Sequence, residues 1–178
     1  FGVGGVTGGE LNPIFIELLT GTLRNYNGVA ALLGVRLFVD EARSWFARTQ
    51  DRFDLLQMSL VDTWAATGAG AYSHSENGLY TEQGWRYFLQ ALTPTGVFTV
   101  SRWFNPNDTS EVGRLFSLAA AALRDAGAAD PEKHLYMAAT DNLATLIVTK
   151  QPMTADEIAP LRERTKRQKF TGLFSPDK

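Results

Sequence analysis

The stretch VRLFVDEARSWFARTQDRFDLLQMSLVD, residues 35–62, decides the fold. It opens with Val35 to Val39, a short β-branched and aromatic run that halts at two acids, Asp40 and Glu41. Ala42 to Arg48 suits a short helix. Phe53 to Leu60 is an apolar run of strand length, which predicts a strand buried on both faces. Strand, helix and strand in so short a span form the unit from which parallel sheets are built.

Working outward towards the start, Phe1 to Leu11 is rich in glycine and carries Val3, Val6 and Thr7 before Glu10-Leu11-Asn12-Pro13. This reads as a short strand entering a turn. Asn12 is placed to cap, Pro13 to occupy the first helical position, and a helix is expected from about Pro13 to Leu23. Towards the end, Val61 to Leu79 has no sustained period and reads as a long loop of the kind reserved for binding or catalysis. Thr81 to Leu92 is expected to be helical, Pro94-Thr95-Gly96 a turn and Val97 to Ser101 a strand. Thr109 or Ser110 offers a capping-box start to an Ala-rich helix ending near Gly127. His134 to Ala139 and Leu143 to Thr149, separated by three residues, suit an antiparallel hairpin. Thr154 to Lys169 is a charged helix in which Pro160 predicts a kink or a division.

A chain of 178 residues, 44% hydrophobic, can bury one sizeable core, so a single domain is expected over residues 1–178. Seventeen basic and nineteen acidic residues give a formal net charge of −2, and their mixing argues against nucleic acid as a partner. With no cysteine there is no disulfide framework, thiolate metal site or Cys nucleophile. No run approaches the roughly 18 apolar residues of a membrane span. A cytoplasmic chain is therefore expected.

Three features in order carry a resemblance. An acid ends one strand (Glu10 in Val-Thr-Gly-Gly-Glu-Leu-Asn-Pro), an acid ends the next (Asp40 in Val-Arg-Leu-Phe-Val-Asp-Glu-Ala), and Phe-Asp-Leu-Leu-Gln-Met-Ser-Leu-Val-Asp follows. Together with Leu79 to Trp85 and Leu92 to Phe98, they resemble the spermidine synthase family and its class I methyltransferase-fold relatives, over about Val3 to Lys150. The resemblance implies an α/β, Rossmann-like, mostly parallel sheet with helices on both faces and a C-terminal antiparallel hairpin. It also implies that the family's first strand and glycine loop precede Phe1, so the fold is N-terminally incomplete. The chain looks most like large bacterial members that carry an amino-terminal membrane region, which allows tethering through such a region. Family members commonly form dimers, and an incomplete sheet leaves an edge for a partner or larger assembly to cover.

In open α/β sheets ligands sit beyond the carboxyl ends of strands, where an acid can accept both ribose hydroxyls. Glu10 is the ribose candidate. The resemblance places Asp40 near the adenine amine, with Glu41 as its alternative, and implies S-adenosylmethionine or decarboxylated S-adenosylmethionine as the nucleotide substrate, with no metal. Spermidine synthases carry an Asp-Ser-Ser-Asp-type motif here, whose first acid helps deprotonate the attacking amine. This chain has Ser59 in that place, and Asp62 corresponds to the second acid. A serine hydroxyl neither attracts a cationic polyamine nor readily takes its proton. Asp62 is the first catalytic candidate and Glu76 the second. His74 reads as a solvated loop histidine and His134 as structural. No Gly-x-Ser-x-Gly elbow supports a hydrolase. Trp64, Tyr72, Tyr80 and Trp85 are candidates for a pocket wall or the core, and the basic run Arg162 to Lys169 for a solvated helix face. The expected function is an aminopropyltransferase-like domain with an unknown acceptor. A methyltransferase and a noncatalytic domain of the same fold are the alternatives.

Overall fold

The computed structural model describes residues 4–60 and 78–177. The chain divides into two compact units, residues 1–49 and 50–178.

In the first unit, β1 (Val6–Glu10) and β2 (Val35–Val39) pair in parallel, in register from Val6 opposite Val35 to Glu10 opposite Val39. Between them run α1 (Pro13–Thr20), the single turn α2 (Arg24–Asn27) and a 3-10 turn at Val29–Ala31. The Asn12 side chain accepts from the Ile14 N–H at 3.0 Å and Pro13 opens the helix, as its missing N–H and fixed φ favour. The helix stops at Thr20 rather than Leu23, because the chain leaves the α-helical spacing there: the Gly21 N–H still donates to Glu17 O, but the Leu23 N–H reaches five residues back to Leu18 O. Gly34, at φ 80°, turns the chain into β2 where a side chain would be strained. α3 (Ala42–Arg48) follows β2, with Trp45 stacked on Phe38 at 4.7 Å between ring centroids. No described side chain of this unit is fully buried.

The second unit is a five-stranded sheet of order β3-β4-β6-β5-β7, built from β3 (Phe53–Ser59), β4 (Leu92–Trp103), β5 (Leu135–Thr140), β6 (Leu143–Thr149) and β7 (Thr171–Phe174). β3 pairs with β4 in parallel, and the β4–β6, β6–β5 and β5–β7 pairings are antiparallel. β3, β4 and β5 therefore run one way and β6 and β7 the other. The helices are α4 (Glu82–Ala91), α5 (Ser110–Asp125) and α6 (Ala155–Arg167).

Strand register sorts the side chains into two faces. Leu56, Phe98, Val148 and Leu135 lie opposite one another on one face, all buried, and Met58, Val100, Leu146 and Met137 form the next row. Trp85 and Phe88 of α4 meet Phe98 there, at 5.0 and 5.6 Å between ring centroids. On the other face Tyr136 and Ile147 pack with Ile158 and Leu161 of α6. Helices thus cover both faces of this sheet.

Several expectations change. β3 buries only one face: Leu56 and Met58 are buried while Leu55, Gln57 and Ser59 are exposed, as a period of two dictates for a strand covered on one side. Pro94-Thr95-Gly96 is a bulge within β4 instead of a turn before it. The β3–β4 register jumps from Phe53–Leu92 to Leu55–Val97, so the extra residues loop out without breaking the strand. Thr109 caps no helix with its side chain, and the Ser110 N–H donates instead to Asp108 Oδ1 at 3.1 Å. The tail contributes β7. Pro160 does not divide α6, which runs on through it, starts from a capping box of Thr154 and Glu157 and is anchored by buried Ile158. No helix among the described residues is long and apolar enough to cross a membrane.

Candidate functional site

Parallel pairing in the first unit brings two of the acids together. Glu10 ends β1 and Asp40 lies one residue past β2, and the Asp40 N–H donates to the Glu10 carbonyl at 3.0 Å. Both carboxylates thus sit at the carboxyl ends of adjacent parallel strands. Glu10 Oε1 accepts from the Asn12 N–H at 2.8 Å, which fixes the side chain across the turn into α1. A carboxylate has about four acceptor positions, so a further donor can still be taken. Asp40 Oδ1 accepts from the Glu41 N–H at 2.9 Å, and Oδ2 is ion-paired with Arg48.

Glu41 is used differently. Its carboxylate caps α3, accepting from the Arg43 and Ser44 N–H groups at 2.9 and 2.8 Å and from the Ser44 hydroxyl at 2.7 Å. Burial pushes its pKa up, but the Ser44 and Arg43 hydrogen bonds and the Arg43 charge outweigh that, and the net direction is down. A depressed carboxyl stabilises the fold above its ordinary value of 4.5, and that contribution fades as pH falls through the lower folded value. Glu41→Gln is accordingly expected to cost about 1 kcal/mol near neutral pH, the scale of a lost cap. The gap from the parent should narrow as pH falls below 4.5 and close once the pH lies below the lowered folded value, where both side chains are neutral. Urea midpoints at the two pH values check this, and an equal loss at both would contradict it.

In the second unit Ser59 ends β3 opposite Ser101 and is exposed. Leu60 follows at φ 49°, a left-handed conformation costing a branched residue roughly 1–2 kcal/mol, and its N–H donates to Ser101 O at 3.1 Å. Strain of this kind recurs at functional strand ends. Asp62 and Glu76, with His74, Trp64 and Tyr72, lie outside the described residues.

The sequence reading missed Arg102, near the carboxyl end of β4. Its Nε donates to Glu111 Oε1 at 2.8 Å, Nη2 bonds the same oxygen, and Nη1 donates to the Tyr80 hydroxyl at 3.1 Å. The guanidinium also lies 4.5 Å from the Tyr80 ring centroid. Burial disfavours its charge, but Tyr80 and Glu111 more than restore it, so Arg102 is held charged. These three line a cleft of about 740 Å³ with Trp103, Arg114 and Asn142. Tyr80 is thus a wall residue, whereas Trp85 is core, wholly buried. The signal available in the sequence was a lone charge, Arg102, in the otherwise uncharged β4, with the acid Glu111 in the first turn of α5. Among the described residues, no group of three His, Cys, Asp or Glu side chains is arranged to hold a metal.

No protein-family model matches the chain, and no curated protein matches it in sequence. Solved structures do match in fold. A spermidine synthase in complex with the transition-state analogue AdoDATO is 16% identical with a TM-score of 0.58, over 91% of this chain and 52% of that one. A probable spermidine synthase from Corynebacterium glutamicum is 15% identical, TM-score 0.61, over 90% and 52%. Human methyltransferase-like protein 13 in complex with SAH is 13% identical, TM-score 0.58, over 92% and 70%. The chain spans about half the length of the solved spermidine synthases it matches. Its fold is the Rossmann-like, methyltransferase-type α/β arrangement.

Proposed function

We propose that this chain belongs to a transferase of the spermidine synthase type and binds an S-adenosyl nucleotide. Glu10 and Asp40 at the ends of neighbouring parallel strands carry this reading. Glu10 accepts the two ribose hydroxyls and Asp40 the adenine amine, the carboxylates being matched to neighbouring donors of one nucleoside. Transfer from a sulfonium depends on alignment of the acceptor with the reacting carbon and on electrostatic control, which protein groups can supply. Asp62, with Glu76 as its alternative, would take the proton of the attacking amine. The ligands named in the solved relatives, AdoDATO and SAH, support the choice of nucleotide.

Calorimetric titration with S-adenosylmethionine, decarboxylated S-adenosylmethionine and methylthioadenosine tests the reading. Glu10→Ala is expected to weaken binding about 10- to 100-fold, since charge-assisted hydrogen bonds are worth roughly 1.5–3 kcal/mol. Absence of binding by folded protein, or binding indifferent to Glu10→Ala, would overturn the assignment. Ser59, at the place of the family's first acid, favours a second reading. Without that carboxylate, deprotonation of a polyamine loses its usual base, and methyl transfer or a noncatalytic role in assembly, a homodimer included, becomes the alternative. Preference for S-adenosylmethionine over its decarboxylated form would select methyl transfer.

A further inference from the structure

A second cavity, of about 840 Å³, lies at the opposite end of β4 from Arg102, within the unit formed by residues 50–178. Measured along β3, which does not bulge, the strand rise separates the two ends by roughly 20 Å. Three segments deliver cations to this cavity: Arg52 ahead of β3, Arg86 on α4 and Lys150 after β6. Asp125 is the one acid among the residues lining it, and it forms no ion pair with them. The wall thus carries an excess of positive charge on a chain whose formal net charge is −2.

Capping of α5 does not account for these cations. The carbonyls of Ala122, Leu123 and Arg124 are already taken by the N–H groups of Ala126, Ala128 and Gly127, at 3.0, 2.9 and 2.9 Å. Lys150 is anchored at one point, donating to Leu92 O at 2.9 Å, and Arg52 uses Nη1 on the carbonyls of Gln50 and Asp51. Among the described residues the Arg86 guanidinium has no hydrogen-bond partner, and it lies 5.9 Å from the Tyr87 ring centroid. His134, buried, completes the wall. Its Nδ1 lies 3.0 Å from Thr149 O and carries the hydrogen, because a carbonyl only accepts.

We propose that this cavity binds a small phosphorylated molecule through Arg52, Arg86 and Lys150, independently of the nucleotide site. Cations from separate segments lining one concavity suit a phosphate group with several acceptor oxygens, and a cavity of this size leaves room for the rest of a small molecule that carries it. Titration of the chain with inorganic pyrophosphate is expected to show one site, weakened at least tenfold by Arg86→Ala. Ala126→Glu, which adds an acid at an exposed position of the same wall, should weaken it comparably, while Lys166→Ala on α6 leaves it unchanged. Absence of pyrophosphate binding, an equal loss in Lys166→Ala, indifference to Arg86→Ala and Ala126→Glu, or citrate binding as tightly as pyrophosphate would each overturn the proposal. Methylthioadenosine titrations of the same variants should be unaltered, which separates this site from the one at Glu10.

Discussion

Phe98→Ala is expected to cost about 3–5 kcal/mol, a large share of the roughly 5–15 kcal/mol that holds a typical domain together. Phe98 is fully buried at the centre of the second unit, between Leu56 on β3 and Val148 on β6 in register, with Trp85 and Phe88 against its ring. Removing the ring forfeits its transfer energy and opens a cavity bounded by strands on both sides and a helix above, elements that cannot all close in. The two aromatic contacts account for about 0.5–1.5 kcal/mol each of that loss. Urea unfolding followed by circular dichroism measures the change, and a loss under about 1 kcal/mol would mean that the cluster does not form the core described.

Gly96→Ala is expected to cost about 2–3 kcal/mol through overpacking. A Cβ at Gly96 would lie 2.9 Å from the Phe53 carbonyl, 2.8 Å from Leu92 Cβ and 3.0 Å from the Thr93 nitrogen. Two of these atoms are backbone, so relief requires β3 to move away from the bulge or the bulge to open. Gly113→Ala on α5 supplies the contrast. Its added Cβ would meet nothing within 4 Å, and helix propensity predicts a gain of up to about 1 kcal/mol. Thermal midpoints moving in opposite directions for the two variants confirm the bulge geometry, and a neutral Gly96→Ala would refute it.

β2, α3 and β3 were each legible as elements because the strands are short, the helix is bounded, and acids mark the point where β2 ends, although β2 pairs with β1 and β3 with β4 rather than with each other. Asn12 and Pro13 announced α1 for equally local reasons. The hairpin of β5 and β6 was readable because only three residues, Thr140 to Asn142, separate two apolar runs. β7 was not, since four residues with a glycine among them have no period of their own and become a strand only against Met137 and Ala139. Pro94-Thr95-Gly96 has turn composition, and nothing local distinguishes a turn before a strand from a bulge inside one. That choice belongs to the β3 register.

The candidate site divides in the same way. Glu10 and Asp40 are marked by their positions after strands, and parallel pairing makes them neighbours. Glu41, adjacent in sequence, turns its carboxylate to the first N–H groups of α3, a distinction that composition does not contain. Arg102 escaped notice because its meaning lies in Tyr80, 22 residues earlier, and Glu111, nine residues later. Patterning identifies which side of an element is apolar, but not which polar groups from separate elements converge on one guanidinium.

The first unit has no fully buried side chain among its described residues, yet it carries Glu10 and Asp40. A ligand taken by those acids would stabilise the unit by mass action, by about 2.7 kcal/mol when its free concentration is one hundred times its dissociation constant. In a segment with so little interior of its own, that gain is comparable to burying a large side chain. Occupancy and local order at β1 and β2 would then be a single equilibrium, and the apparent affinity for such a ligand would measure the ordering of this segment as well as the contacts it makes.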